Sequence, residues 1–390
     1  MKTVEEKLYE IGDVLLKNDI DRYGFEGKRG IALFLLLFFR YNNREQYYNK
    51  AIVLIEQELS HFSNHFDNLT FWAGIAGLGW YCNTIVKQYV DSKYDAGFAA
   101  IDELLENQML NCNNFGLYYY DHLYGGLGIG HYFLSTTKKT AIASLVEKLD
   151  STTIEDNYTL GKKWMTNTSH LSGIWDYNIS LSHGMSSIVV MLSKIYQQGI
   201  KTEKCARLIE GAVNYILAQK LPIENSVSIF GNCAIESMKH PCSSRLSWCY
   251  GDLGIAVALW RASQVLNRSD WEAESRAILL HASKRRKLNN NHVLDACFCH
   301  GTSGIAHIFN RMWKETGIPE CRDAAIYWIN QTINMANFED GFAGFKTWQG
   351  TERGFQGEYG LLGGIAGIGL ALLSYISDDI PIWDECLLLN

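Results

Sequence analysis

Apolar positions recur along the chain in stretches that fit the 3.6-residue period of a helix. Lys50 to His61, Ala141 to Leu149 and Cys205 to Lys220 space their apolar residues in this way, with polar residues between them. Other stretches are more continuously apolar, at Ile31 to Arg40, Ile188 to Tyr196 and Ile365 to Ile376. The first kind predicts amphipathic helices and the second predicts buried ones. A short pattern opens the second kind: a glycine, two residues, a small residue, then an aliphatic run. It begins at Gly27, Gly74, Gly125, Gly184, Gly251, Gly301 and Gly364. Its small residue is Gly30, Gly77, Gly128, Ser187, Gly254, Gly304 and Gly367, so only the fourth copy departs from glycine.

Successive copies start 47 to 67 residues apart, which accommodates two helices of typical length and their loops. Glycines three apart share a helix face and let backbones approach closely at the first turn. Seven helix pairs of equal rank predict an all-α fold closed into a ring, an α/α toroid. The Gly-headed helices would form its inner layer, with their N-termini gathered at one end. An open solenoid is the alternative, but no polar capping repeat stands out. No gap between copies accommodates an inserted domain of ordinary size, so residues 1–390 read as a single domain.

Composition narrows the function classes. Pro occurs 4 times in 390 residues, so few helices are interrupted. The net charge of −7 argues against sequence-independent nucleic-acid binding, which needs a basic patch. The basic run Lys284 to Lys287 reads as a solvated loop or helix end. The N-terminal residues carry acidic groups and no apolar signal core, and the longest apolar runs fall short of the roughly 18 to 20 residues of a membrane span. Ten cysteines without a secretory signal read as reduced thiols or metal ligands. These features predict a cytoplasmic protein with no nucleic-acid partner and no membrane span.

The copies differ just before the glycine, and polar residues concentrate there. The fifth reads Arg245-Leu-Ser-Trp-Cys249-Tyr250-Gly251 and the sixth Cys297-Phe-Cys299-His300-Gly301. Cys249, Cys299 and His300 can fill three of the four ligand positions of a zinc ion and leave one open. Three protein ligands mark catalytic zinc, whereas structural sites are closed by four. The competing reading is burial alone, since free Cys is among the most buried residue types. Asp121 and His183 occupy the same short stretch in the third and fourth copies. There a carboxylate can orient a histidine for proton transfer. Otherwise Asp121 caps a helix and His183 is a satisfied buried histidine. Arg245 can stabilise developing negative charge or form a surface ion pair of little worth.

The run Trp248-Cys249-Tyr250-Gly251, followed by Cys299-His300-Gly301, resembles the lanthionine synthetase C-like family, the lanthipeptide cyclases. Asp121 with the Gly125 pattern, and Ser182-His183-Gly184, match two further motifs of that family. The resemblance implies an α/α toroid with one zinc ion at its mouth, held by Cys249, Cys299 and His300. It also implies Asp121, His183, Arg245 and Tyr250 around the reaction centre. The expected reaction is addition of peptide Cys thiols to dehydroalanine or dehydrobutyrine, closing thioether rings. The expected substrate is a dehydrated precursor peptide, with a separate dehydratase supplying it to a stand-alone cyclase. Rival readings are a glutathione-adding relative acting on dehydrated proteins, a protein prenyltransferase subunit and a non-catalytic scaffold.

Overall fold

The computed structural model describes residues 3–64, 67–90, 98–114, 116–169, 174–222 and 226–390. Helices account for most of the ordered elements. In chain order they are α1 (Val4–Lys17), α2 (Lys28–Asn42), α3 (Glu45–Asn64), α4 (Ile75–Tyr81), α5 (Lys87–Tyr89), α6 (Asp102–Asn111) and α7 (Gly126–Leu134). There follow α8 (Lys139–Thr152), α9 (Met185–Gln197), α10 (Thr202–Leu217), α11 (Asp252–Leu266) and α12 (Ser269–Ser283). The last three are α13 (Thr302–Thr316), α14 (Pro319–Asn334) and α15 (Ile365–Ile376). A π-turn at Cys82–Val86 joins α4 to α5.

Each of the seven glycine patterns opens a helix, with Gly27, Gly74, Gly125, Gly184, Gly251, Gly301 and Gly364 as N-caps of α2, α4, α7, α9, α11, α13 and α15. These helices are buried almost all round over their first turns. The helices between them, such as α3, α8 and α10, alternate buried and exposed positions as amphipathic elements do. Among the described residues, four short antiparallel ribbons lie between helices, which the sequence pattern does not predict. They pair Asn113–Asn114 with Leu117–Tyr118, Ile154–Asp156 with Gly161–Lys163, Thr166–Ser169 with Ile174–Asp176, and Thr347–Trp348 with Phe355–Gln356.

Contacts cluster into two compact units. The first draws on residues 1–67, 246–248 and 283–383, the second on residues 68–245, 249–282 and 384–390. In the first, α2 packs on α3 and α13 on α14, while α15 packs against α13, α1 and α2. The last Gly-headed helix therefore lies against the first, a contact that an open array of repeats does not make. Arg29 of α2 and Glu58 of α3 form a buried ion pair at 2.9 Å. The basic run belongs to this unit and is structural after α12. Arg285 is buried against Asn291, and Arg286 donates to the carbonyls of Ser283 and Asp323. In the second unit α7 packs against α4, α6, α8 and α9, and α9 also packs on α10 and α11. No described helix is long and apolar enough to cross a membrane.

The glycines are explained by the turn that precedes each helix. In the second, third, fourth and sixth copies the first glycine's N–H donates to the carbonyl four residues back, at 3.0 to 3.2 Å. The next N–H donates to the carbonyl six residues before the glycine, as from Met185 to Asn178 at 2.8 Å. A Cβ on the first glycine would strike that same carbonyl, 2.4 Å from Tyr119 O for Gly125 and 2.4 Å from Asn178 O for Gly184. A Cβ on the second glycine would lie 2.1 Å from His122 O for Gly128, 1.8 Å from Phe298 O for Gly304 and 1.7 Å from Leu361 O for Gly367. The close approach expected from the spacing is thus to the chain's own turn. Ser187 fits the fourth copy, where its hydroxyl donates to Gly184 O at 2.6 Å.

Gly367→Ala is expected to destabilise the protein by about 1–3 kcal/mol or more, because a backbone carbonyl must move. Ser187→Ala, at the equivalent position, is expected to cost only about 1 kcal/mol for one hydrogen bond. Urea unfolding midpoints compare the two; equal midpoints would remove the steric reason for the repeated glycine.

Candidate functional site

Because the turns of the second, third, fourth and sixth copies hang from their helices by the same bonds, a given offset from the glycine falls at a corresponding place in each of these four. Cys249 and Cys299 both stand two residues before the glycine, as do Leu123, Ser182 and Leu362. His183, Tyr250 and His300 stand one residue before it, as do Glu26 and Tyr124. Backbone bonds between turns set these residues side by side within each unit. Trp72 N–H donates to Leu123 O at 2.9 Å, Cys299 N–H to Leu362 O at 3.0 Å and Leu361 N–H to Phe25 O at 2.9 Å.

In the second unit Asp121, His183, Cys249 and Tyr250 come together. His183 Nδ1 lies 2.5 Å from Asp121 Oδ2. The Asp121 carboxylate is 1 % exposed, and its Oδ1 accepts the N–H of Tyr124 at 2.7 Å. Asp121 is therefore a turn former as well as the histidine's partner, while the N-cap of α7 is Gly125. Ser182 binds the carbonyl of Cys249 twice, through Oγ at 2.9 Å and N–H at 3.4 Å. This clamp brings the turn of Cys249 and Tyr250 against that of His183, whose ring centroid lies 6.2 Å from that of Tyr250.

Burial alone would lower the pKa of His183. The charge and hydrogen bond of Asp121 outweigh it, with a smaller contribution from Cys249, and the net shift is upward. With Nδ1 turned to Asp121, Nε2 is the ring nitrogen left for proton exchange. The imidazole is about a third exposed, at 30 %, so it can meet a substrate. Arg245 is half-buried and forms no ion pair among the described residues.

The turn of Cys249 differs from its counterparts. Gly251 has φ +83° and ψ −151°, whereas the other six N-cap glycines have φ between −105° and −141°. Positive φ favours glycine, and a Cβ there would also lie 2.1 Å from Ser244 Oγ. The copy that carries one of the two candidate cysteine ligands thus has a locally different backbone.

In the first unit, Cys299 and His300 are half-buried, the His300 side chain being 26 % exposed. Three ligand atoms there lie within 4.8 Å of one another, from Asp295, Cys297 and His300. Sequence reasoning missed Asp295 and set Cys297 aside. The available signal for Asp295 was its offset, six residues before the glycine, where Asn68 and Asn178 stand. All three accept the N–H two residues ahead, at 3.1 Å for Asn68, 2.9 Å for Asn178 and 2.9 Å for Asp295. Asp295 Oδ2 also accepts Trp348 N–H at 2.8 Å and lies 3.8 Å from His300 Nε2.

Both oxygens of Asp295 are thus committed to backbone N–H groups, and Cys297 is fully buried. Neither suits a metal that must meet a substrate. Cys299 and His300 supply a thiolate and an imidazole, soft and borderline donors suited to zinc, and both are partly exposed. All ten cysteines are outside disulfides. A cavity of about 290 Å³ in the second unit is lined by Trp80, His131, Lys194 and Glu385 among others, and none of the candidate residues lines it.

The fold has a solved counterpart in nisin cyclase, with a TM-score of 0.76 over 99 % of this chain and 96 % of that one, at 18 % sequence identity. The likeness shows an all-α fold of the α/α toroid class. Cellobiose 2-epimerase from Bacillus thermoamylovorans B4167 is also similar over 90 % of this chain and 87 % of its own, at 11 % identity and a TM-score of 0.40, too distant to bear on the fold. The family model described as lanthionine synthetase C-like protein matches residues 24–388. Since that match takes in nearly the whole chain, the protein belongs to the lanthionine synthetase C-like family.

Proposed function

We propose that the protein is a zinc-dependent lanthipeptide cyclase, built on one domain spanning residues 1–390, that adds peptide Cys thiols to dehydroalanine or dehydrobutyrine. The observation that carries this reading is the buried Asp121 carboxylate on His183, with the Cys249 turn clamped beside it by Ser182. Family membership supports it, as does the fold likeness to a protein named a nisin cyclase. The substrate is a dehydrated precursor peptide received from a separate dehydratase. The setting is the cytoplasm, where thiols stay reduced.

Cys249, Cys299 and His300 would hold one zinc ion. Cys249 and Cys299 share one position of the repeat, and His300 is the next residue after Cys299. When bound, zinc supplies the Lewis acidity that lowers the pKa of a substrate thiol to neutral values. The thiol releases its proton to solvent, the resulting thiolate forms a C–S bond to the β-carbon, and the electron pair of the C=C bond moves onto the carbonyl as an enolate. His183 holds a proton at Nε2 and delivers it to the α-carbon, a role its raised pKa favours at neutral pH. Asp121 fixes the ring orientation and stabilises the imidazolium. Arg245 and Tyr250 stabilise the enolate oxygen.

The purified protein is expected to carry one zinc per chain by atomic emission. Cys299→Ala is expected to lose both the metal and ring closure, followed by mass shift after thiol alkylation of a dehydrated peptide. His183→Ala is expected to keep zinc and to cyclise roughly 10²- to 10⁴-fold more slowly, the range of a lost general acid. A Cys299→Ala protein that keeps its zinc would sink the ligand assignment.

The pH dependence follows from the direction of the His183 shift. A raised pKa keeps the imidazolium populated to higher pH, so acid catalysis persists until pH rises through the folded pKa. The same ion pair contributes stability that is present below the unfolded histidine value and lost over that rise. Asp121→Asn removes the largest upward influence, so the alkaline limb of the cyclisation profile is expected to move to lower pH. A profile unmoved by Asp121→Asn removes His183 from the proton-donor role.

A further inference from the structure

Among the residues one place before the repeat glycine, Glu26 is the one carboxylate, and the cyclase mechanism leaves it unused. It is half-buried and meets the loop that leads into α15. Leu362 N–H donates to Glu26 Oε1 at 2.8 Å and Gly363 N–H to Oε2 at 3.3 Å. The seat is made for this side chain. A Cβ on Gly360 would lie 2.2 Å from Glu26 Oε2 and 2.6 Å from Glu26 Cα. Next to it, Leu361 N–H donates to Phe25 O at 2.9 Å.

The other face of the same loop holds Cys299. Leu362 accepts the Cys299 N–H on its carbonyl at 3.0 Å while its own N–H is taken by Glu26. A single peptide-linked residue thus connects the carboxylate to the backbone of a proposed zinc ligand. Thr347 anchors the loop again through its hydroxyl on Gly363 O, and the adjacent Trp348 N–H binds Asp295, the neighbour of His300. From Leu362 onward the link to Cys299 is backbone to backbone, so a change at the Glu26 carboxylate is transmitted to Cys299.

We propose that Glu26 is a positioning residue for the metal site, setting Cys299 through Leu362. This rests on the zinc cyclase reading. Ligand orientation by outer hydrogen bonds is a general lever on metal affinity, with losses of about 10- to 100-fold when such a partner is removed. A purely structural tie between the first and last repeats would instead affect stability and leave the metal untouched.

The test uses the full chain with Glu26→Ala and Glu26→Gln. It reads zinc affinity by chelator competition, the thiolate-to-metal absorption of the cobalt(II) form, and the thermal midpoint. Zinc affinity is expected to fall in the order wild type, Gln, Ala, with Ala weakened about 10- to 100-fold and its cobalt spectrum shifted. Gln keeps an oxygen for Leu362 but turns an NH2 group toward Gly363 N–H, which places it between the two. If Ala does not fold, Gln decides alone. A folded variant of either kind with wild-type zinc affinity and cobalt spectrum overturns the proposal, whatever its thermal midpoint. A wild-type protein that binds no zinc overturns the cyclase reading instead, and the two failures are therefore distinct.

Discussion

The contact on which the rest depends is the approach of the repeat glycines, in most copies, to the carbonyls of the turn before the helix. At Gly304 and Gly367 no Cβ fits, because a backbone oxygen lies 1.8 and 1.7 Å from where it would be. The turn is thereby held against the first helical turn, and its carbonyls satisfy N–H groups that a helix start otherwise leaves open. Side-chain capping is unnecessary, which frees the residues just before the glycine from helix-capping duty. Those are the positions where Cys249, Tyr250, His183, Cys299 and His300 stand. Packing in the repeat and the candidate chemistry are separated within four residues.

Electrostatics then differentiates copies that the backbone makes alike. Asp121 is buried but not isolated, since Tyr124 N–H and His183 Nδ1 serve its two oxygens. A buried carboxylate without such partners would be costly and would tend to neutralise. With them it remains an acceptor able to raise the histidine's affinity for a proton. Asp295 shows the opposite outcome. Its Oδ1 does the work of the amide oxygens of Asn68 and Asn178, and Trp348 takes the other oxygen.

The Gly-headed helices were readable because a backbone clash leaves a residue-type signature that recurs at fixed offset. The three amphipathic stretches were readable from their period: α3 and α8 cover theirs with a few residues more at each end, while α10 begins before Cys205 and stops at Leu217, short of Lys220. The four ribbons were not readable, since each strand has two to four residues and too few side chains to show alternation. The Asp295, Cys297 and His300 cluster was also hidden. Its Asp lies outside the stretch where the cysteines and histidines drew attention, and its turn role appears only beside Asn68 and Asn178. The altered turn at Gly251 had no sequence signature either, because a glycine there looks like every other copy. The contact of Glu26 with Leu362 spans 336 residues of sequence and leaves no local signature.

The central proposal is that Cys249, Cys299 and His300 hold one zinc ion. X-ray absorption at the zinc edge of the metal-loaded protein tests it most directly. The account predicts two sulfur scatterers at about 2.3 Å and one imidazole nitrogen at about 2.0–2.1 Å. A first shell with one sulfur and a carboxylate oxygen, the set that Asp295, Cys297 and His300 would supply, would contradict it.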